Sequence, residues 1–247
     1  MAIKSLLPIA FMALVNYIPT TLAQASACAP GGNFDLSKWE LQLPTGSDGS
    51  PDSVSASKLQ GCDGYQSEYF FASSDDSSLV MKVPGDSSTS GCVTTPNSKH
   101  CRTELREEDP STWSPSDPTN RLFGDVIVKQ IENDRVVVGQ IHIDGSISTK
   151  PVCELYYSTT GKLTMGVNRC RTCGQNTFNI GQIPVGQRFT YEIRYESDVL
   201  SVSINGQDFQ KLDTFDLNSP ASYFKAGNYN QGNGPTEVHF FNITVSH

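Results

Sequence analysis

The sequence predicts an all-β fold, a sandwich or jelly roll made of two packed antiparallel sheets. Three observations carry that expectation. Helical periodicity is nearly absent, short runs of strand-like alternation recur along the chain, and Gly, Asn, Asp, Ser and Pro fill the gaps between them. Many short strands with turn residues between them pack most readily as two layers around one core.

The elements follow in chain order. Lys4 gives a small positive start, 6–15 is an apolar run, and Thr21-Leu22-Ala23 has the small-residue character of a cleavage site. Residues 1–23 are therefore expected to be a secretory signal peptide, because the apolar run is too short to span a bilayer of ~20 residues. Residues 24–247 are expected to form one domain, since no composition shift and no internal repeat divides them. The first run, 39–43, sets Trp39, Leu41 and Leu43 against Glu40 and Gln42, and 79–83 follows it. Runs 124–132 and 135–144 are rich in Val and Ile, with Asn133-Asp134 as a tight turn between them. Runs 154–158 and 163–169 flank a turn at Thr160-Gly161, and runs 189–195 and 200–204 flank one at Ser197-Asp198. The last run is 236–245, and residues 73–78 and 109–119 are polar loops.

The formal net charge is −8. An acidic surface argues against general nucleic-acid binding, and it obliges any polyanionic ligand to find a locally basic cleft. Seven cysteines fit an oxidising compartment. Cys92 and Cys101 flank a short loop and are a candidate disulfide, and Cys28 with Cys62 is a second. Cys153, Cys170 and Cys173 crowd one expected hairpin, where two can pair and leave one free. The C-x-x-C at Cys170 has no partner pair of the kind a zinc site needs. Asn242-Ile243-Thr244 is the one glycosylation sequon, and it falls on an expected strand.

Three segments carry polar residues at strand spacing. Residues two apart share a face, so Arg102, Glu104 and Arg106 stand together, with Thr103 and Leu105 behind them. A solvated outer face can look like this, but two arginines around one carboxylate also suit an ordered ionic network. Gln140, His142 and Asp144 share a second face, with Ile141 and Ile143 turned to the core. Tyr223, Lys225, Gly227, Tyr229 and Gln231 share a third, where Gly227 is expected to leave room for a ligand against the backbone. Together these faces supply Arg, Lys, Gln, His and Tyr, the basic and aromatic lining that an acidic sugar chain requires. The metal-binding H-E-x-x-H, the G-x-S-x-G nucleophile elbow and a phosphate loop are all missing from the sequence.

The three segments resemble the motifs of the alginate lyases of polysaccharide lyase family 7. Arg102-Thr103-Glu104-Leu105-Arg106 matches R-[TS]-E-[LV]-R, Gln140-Ile141-His142 matches Q-[IV]-H, and Tyr223-Phe224-Lys225-Ala226-Gly227-Asn228-Tyr229-Asn230-Gln231 matches Y-x-K-A-G-x-Y-x-Q, in that order. Phe34 to Pro44 is similar to the family's opening strand, so the resemblance covers nearly all of 24–247. The leader and the cysteines look more like those of a fungal member. The resemblance implies a β-jelly roll whose concave sheet forms a substrate cleft. It also implies β-elimination at a uronic acid, with roles that fall on the three faces.

In that reaction a base removes the C5 proton and the glycosidic bond at C4 breaks, leaving a C4–C5 double bond on the new non-reducing end. Donors must stabilise the extra charge that develops on the neighbouring carboxylate. By resemblance this falls to Arg102, Gln140 and His142, with Glu104 orienting Arg102 and Arg106. Tyr229 would protonate the leaving oxygen. Either His142 or Tyr229 would serve as base, the latter only with positive charge nearby, such as Lys225 or Arg106. Arg106, Glu104, Lys225, Tyr223 and Gln231 would bind substrate. Neither metal nor cofactor is expected, and a secreted monomer acting within the alginate chain, with no nucleic-acid or membrane partner, is. Within the family an Ile at 141 goes with guluronate-containing substrates, although Ile141 should point into the core. The alternatives are a lyase on another polyuronate such as glucuronan, a carbohydrate-binding module, and a jelly-roll glycoside hydrolase. That hydrolase would pair Glu104 with Glu154 or Asp144, and flanking arginines would hold Glu104 too acidic for the task.

Overall fold

The structure is a computed structural model that describes residues 28–247, so the expected signal peptide lies outside the described residues. In chain order the strands are β1 (Trp39–Ser47), β2 (Ser50–Val54), β3 (Phe70–Ala72), β4 (Leu79–Val83), β5 (Arg102–Glu107), β6 (Arg121–Ile131), β7 (Arg135–Ile143), β8 (Pro151–Ser158), β9 (Lys162–Asn168), β10 (Gln175–Gln182), β11 (Phe189–Glu196), β12 (Val199–Ile204), β13 (Gln210–Leu212), β14 (Ser222–Asn230) and β15 (Thr236–Ser246). They form two antiparallel sheets. One runs β10-β9-β8-β7-β14-β5-β1-β2 and the other β13-β12-β11-β6-β15-β4-β3. Neighbours in space are often distant in sequence, as in a jelly roll. Helix among the described residues is limited to single turns, and no helix there is long and apolar enough to cross a membrane.

The core lies between the sheets. Trp39, Leu41, Leu105, Ile141 and Phe224 come from the eight-stranded sheet, and Tyr191, Ile193, Val238 and Phe240 from the other, all fully or almost fully buried. Burying side chains of this size is the main favourable term in forming the sandwich. Tyr191 ties the layers together, its hydroxyl donating to the carbonyl of Val138 at 2.8 Å. Gly124 and Gly139 make room for its ring, because a Cβ at either would fall under 3 Å from ring atoms.

The turns at Thr160-Gly161 and Ser197-Asp198 close the hairpins β8–β9 and β11–β12 as expected. Asn133-Asp134 differs. It joins β6 to β7, which belong to different sheets, so it is a sheet-to-sheet crossing and not a hairpin. Disulfides link Cys28 to Cys62, Cys92 to Cys101 and Cys170 to Cys173, leaving Cys153 free and buried. Asn242 is exposed on β15.

Candidate active site

The three polar motifs are adjacent strands in the middle of the eight-stranded sheet, with β14 between β5 and β7. Register then decides which side chains meet. Tyr229 lies opposite Arg102, Gly227 opposite Glu104 and Lys225 opposite Arg106 on one side. On the other, Lys225 lies opposite Gln140 and Tyr223 opposite His142. Arg102, Arg106, Gln140, His142, Tyr223, Lys225, Tyr229 and Gln231 all line one cleft of about 480 Å³. Glu104 sits beneath it, fully buried.

Glu104 is the centre of the site's electrostatics. It forms ion pairs with Arg102 Nη1 at 3.2 Å and with Lys225 Nζ, and Gln140 Nε2 donates to it at 2.5 Å. Burial would raise the Glu104 carboxyl, but the charges of Lys225 and Arg102 overcome this and hold it below its ordinary value. Burial likewise brings the Lys225 ammonium down to about 8, against the pull of Glu104. A carboxyl held ionised in this way is no general acid, which removes Glu104 from the hydrolase alternative.

Three expectations need correction. Glu104 does not orient Arg106: the Lys225 ammonium takes that place, and Arg106 turns to Glu108 and stacks over Tyr223 with its guanidinium carbon 4.5 Å from the ring centre. The cation against Tyr229 is neither Lys225 nor Arg106. It is Arg102, whose guanidinium carbon lies 3.7 Å from the ring centre because the two residues are register partners. Gly227 does not open space for a ligand. A Cβ there would lie 2.6 Å from the Thr103 carbonyl oxygen and 2.7 Å from Glu104 Cα, so its missing side chain accommodates β5.

His142 is deeply set and stacked on Tyr223 at 5.2 Å between ring centres. Burial first, then the charge of Lys225, lowers its pKa to about 4, so it is neutral at working pH. Its Nδ1 lies 2.8 Å from the Ile143 carbonyl oxygen. A carbonyl only accepts, so the ring proton is on Nδ1 and Nε2 carries the lone pair. Ile141 is fully buried, as the strand alternation predicts.

Cleft residues that the motifs do not contain come from neighbouring elements. Thr95, Asn97 and Ser98 belong to the loop closed by Cys92–Cys101, and Ser98 Oγ lies 3.0 Å from the Tyr229 hydroxyl. On the opposite side Glu154 accepts from the Tyr156 hydroxyl at 2.6 Å and from Gln175 Nε2 at 2.5 Å. Their sequence signal is weak, since polar loop residues and an isolated Glu or Tyr on a strand are ordinary surface features.

The family model described as alginate lyase matches residues 34–247. A curated alginate lyase of Klebsiella pneumoniae is 38% identical over 87 residues, which is 34% of this chain and 26% of that protein, so the match spans about a quarter of the relative. Among solved structures, alginate lyase A1-II′, a member of polysaccharide lyase family 7, is 31% identical with a TM-score of 0.73, covering 89% of this chain and 98% of that one. An alginate lyase from Pseudomonas aeruginosa is also 31% identical with a TM-score of 0.73, covering 86% of this chain and 99% of that one. With the family model spanning both sheets and all three motif strands, the chain belongs to the alginate lyase family, that of polysaccharide lyase family 7.

Proposed function

We propose that the protein is a secreted alginate lyase that cuts within the chain by β-elimination. The observation that carries the mechanism is the pairing in one cleft of a neutral histidine with a tyrosine held against an arginine. His142 Nε2 takes the C5 proton. The electron pair of the C5–H bond becomes the C4–C5 double bond, the C4–O bond breaks, and Tyr229 gives its proton to the departing oxygen. Arg102 and the second N–H of the Gln140 amide bind the uronate carboxylate, where charge builds in the transition state. Glu104 fixes Arg102, Lys225 and Gln140 in place for that task. Arg106, Tyr223 and Gln231 extend the grip along the sugar chain.

Structures of variants of the related A1-II′ enzyme hold a GGG product and a GGMG substrate, which supports a guluronate-containing alginate as the ligand here. Three disulfides among the described residues support an extracellular working place, with residues 1–23 removed and the remainder acting as one catalytic domain.

The test is to follow the ultraviolet absorbance of the new double bond as the protein acts on alginate. It should rise with wild type, and Tyr229→Phe should bind alginate yet lose about a hundredfold or more in turnover. New reducing ends without that absorbance would point to a hydrolase, and near-normal turnover in the variant would remove Tyr229 from the mechanism.

A further inference from the structure

The loop between Cys92 and Cys101 places a hydroxyl on the phenol that the proposed reaction uses. Ser98 is half-buried, with Oγ 3.0 Å from the Tyr229 hydroxyl. The same oxygen accepts from the backbone N–H of His100 at 3.0 Å and is 3.2 Å from the His100 carbonyl, to which it can donate. The loop is a built support. The disulfide closes it, Thr94 Oγ1 donates to the Ser98 carbonyl at 2.9 Å, the Val93 N–H donates to the Pro44 carbonyl at 2.8 Å, and the Asn230 N–H donates to the Cys101 carbonyl at 3.1 Å. That last bond ties the loop to the end of the strand that carries Tyr229.

A serine hydroxyl has one proton and two lone pairs. While Tyr229 is a phenol, its O–H can donate to Ser98 Oγ, and Ser98 donates to the His100 carbonyl. Once Tyr229 has given its proton to the leaving oxygen, the phenolate can only accept. A rotation about the Ser98 Cβ–Oγ bond then turns the hydroxyl from the His100 carbonyl to the phenolate oxygen, and the His100 N–H holds Oγ in place throughout. We infer that Ser98 is a positioning residue for Tyr229, accepting from its phenol in the empty cleft, where no leaving oxygen competes for the proton, and donating to its phenolate after proton transfer. Hydrogen bonds to an ionised partner are the strong ones, and this one exists only after the proton has moved. Its loss should therefore appear in kcat and not in KM.

This inference rests on Tyr229 as the proton donor, and the test separates the two. Kinetics on alginate would be measured for wild type, Ser98→Ala, Ser98→Thr, Tyr229→Phe and the double variant Ser98→Ala/Tyr229→Phe. Ser98→Ala should lower kcat by about tenfold to a hundredfold with KM within about twofold. Ser98→Thr, which keeps the hydroxyl, should restore most of it. In the Tyr229→Phe background, Ser98→Ala should change nothing further, because the two act as one unit. An unchanged kcat in Ser98→Ala, a KM effect alone, failure of Ser98→Thr to restore kcat, or full additivity in the double variant would each overturn the role of Ser98. If Tyr229→Phe itself keeps its turnover, the fault lies with the reading of Tyr229.

Discussion

Replacing Glu104 with Gln keeps the shape of the side chain and removes one negative charge from beneath two buried cations. In the native site Glu104 has no exposed surface, and Arg102 and Lys225 are 9% and 4% exposed. The gap between the ordinary 10.5 of a lysine and the value of about 8 at Lys225 already corresponds to roughly 3 kcal/mol against the charged ammonium. Without Glu104 that ammonium loses its main support, so Lys225 should be largely neutral at pH 7. Arg102 cannot escape by losing a proton. Breaking a buried ion pair from one side costs about 3–5 kcal/mol, and neutralisation of Lys225 places the expected loss near the lower end, about 3 kcal/mol. Urea unfolding at pH 7 measures it as a shift in midpoint at constant slope. The pH dependence follows from the sign of the Lys225 shift. Its folded pKa lies below the unfolded value, so the unfolded chain binds the extra proton and stability rises with pH once the folded pKa is passed. That rise begins at about 8 in wild type and lower in the variant, so the gap between them should narrow as pH rises from 6 toward 8. A loss below about 1 kcal/mol at pH 7, well under the cost of breaking a buried pair, would refute the reasoning, as would a loss that does not narrow.

Gly227→Ala should destabilise the protein by about 2 kcal/mol or more, read as a lower melting temperature, because the new Cβ meets β5 backbone that cannot move aside. Turnover on alginate should fall as pH rises through about 8, where Lys225 loses its charge and Arg102 remains the one cation on Glu104; a pH series of kcat/KM in which Lys225→Met abolishes that limb checks the assignment. Cys153 should resist thiol reagents in the folded protein and react on denaturation, since burial removes access and pushes its thiol up to about 12; rapid labelling of native protein would contradict its placement.

Much of the architecture is legible from alternation, and the part that is not has a common position. The strands the sequence does not single out are β2, β3, β10 and β13, which are the two edges of each sheet. An edge strand is short or polar and packs less of its surface, so its pattern is weak. β10, QNTFNIGQ, has no fully buried residue. For the site, period-two spacing put Arg102, Lys225, Gln140, His142, Tyr223 and Tyr229 on the cleft face, with Glu104 buried beneath it, while Asp144, assigned to the same face as His142, does not line the cleft. It left open which of them pair, because pairing depends on register between strands far apart in sequence. Only the register puts Arg102 on Tyr229 and Lys225 between Gln140 and Arg106. Ser98 was beyond reach for a different reason: loop conformation decides its contact, and SGCVTTPNSKHC has no periodicity to read.

The electrostatics of the cleft also bear on how a histidine with a pKa of about 4 can act as base. Burial and the charge of Lys225 depress it, and Arg102 adds to the effect. In the proposed reaction those same cations bind the uronate carboxylate. On that proposal, a carboxylate beside Arg102 and Gln140 would offset with its negative charge the field that weakens His142, and the ring would become a stronger base only with substrate present. In the empty cleft the histidine stays neutral, with its proton fixed on Nδ1 by Ile143, and needs no deprotonation before it acts. An acidic protein can thus hold a polyanion through a small, buried group of cations. Glu104 lies beneath this arrangement, helping to keep Lys225 charged and holding Arg102 and Lys225 in position while it stays buried itself.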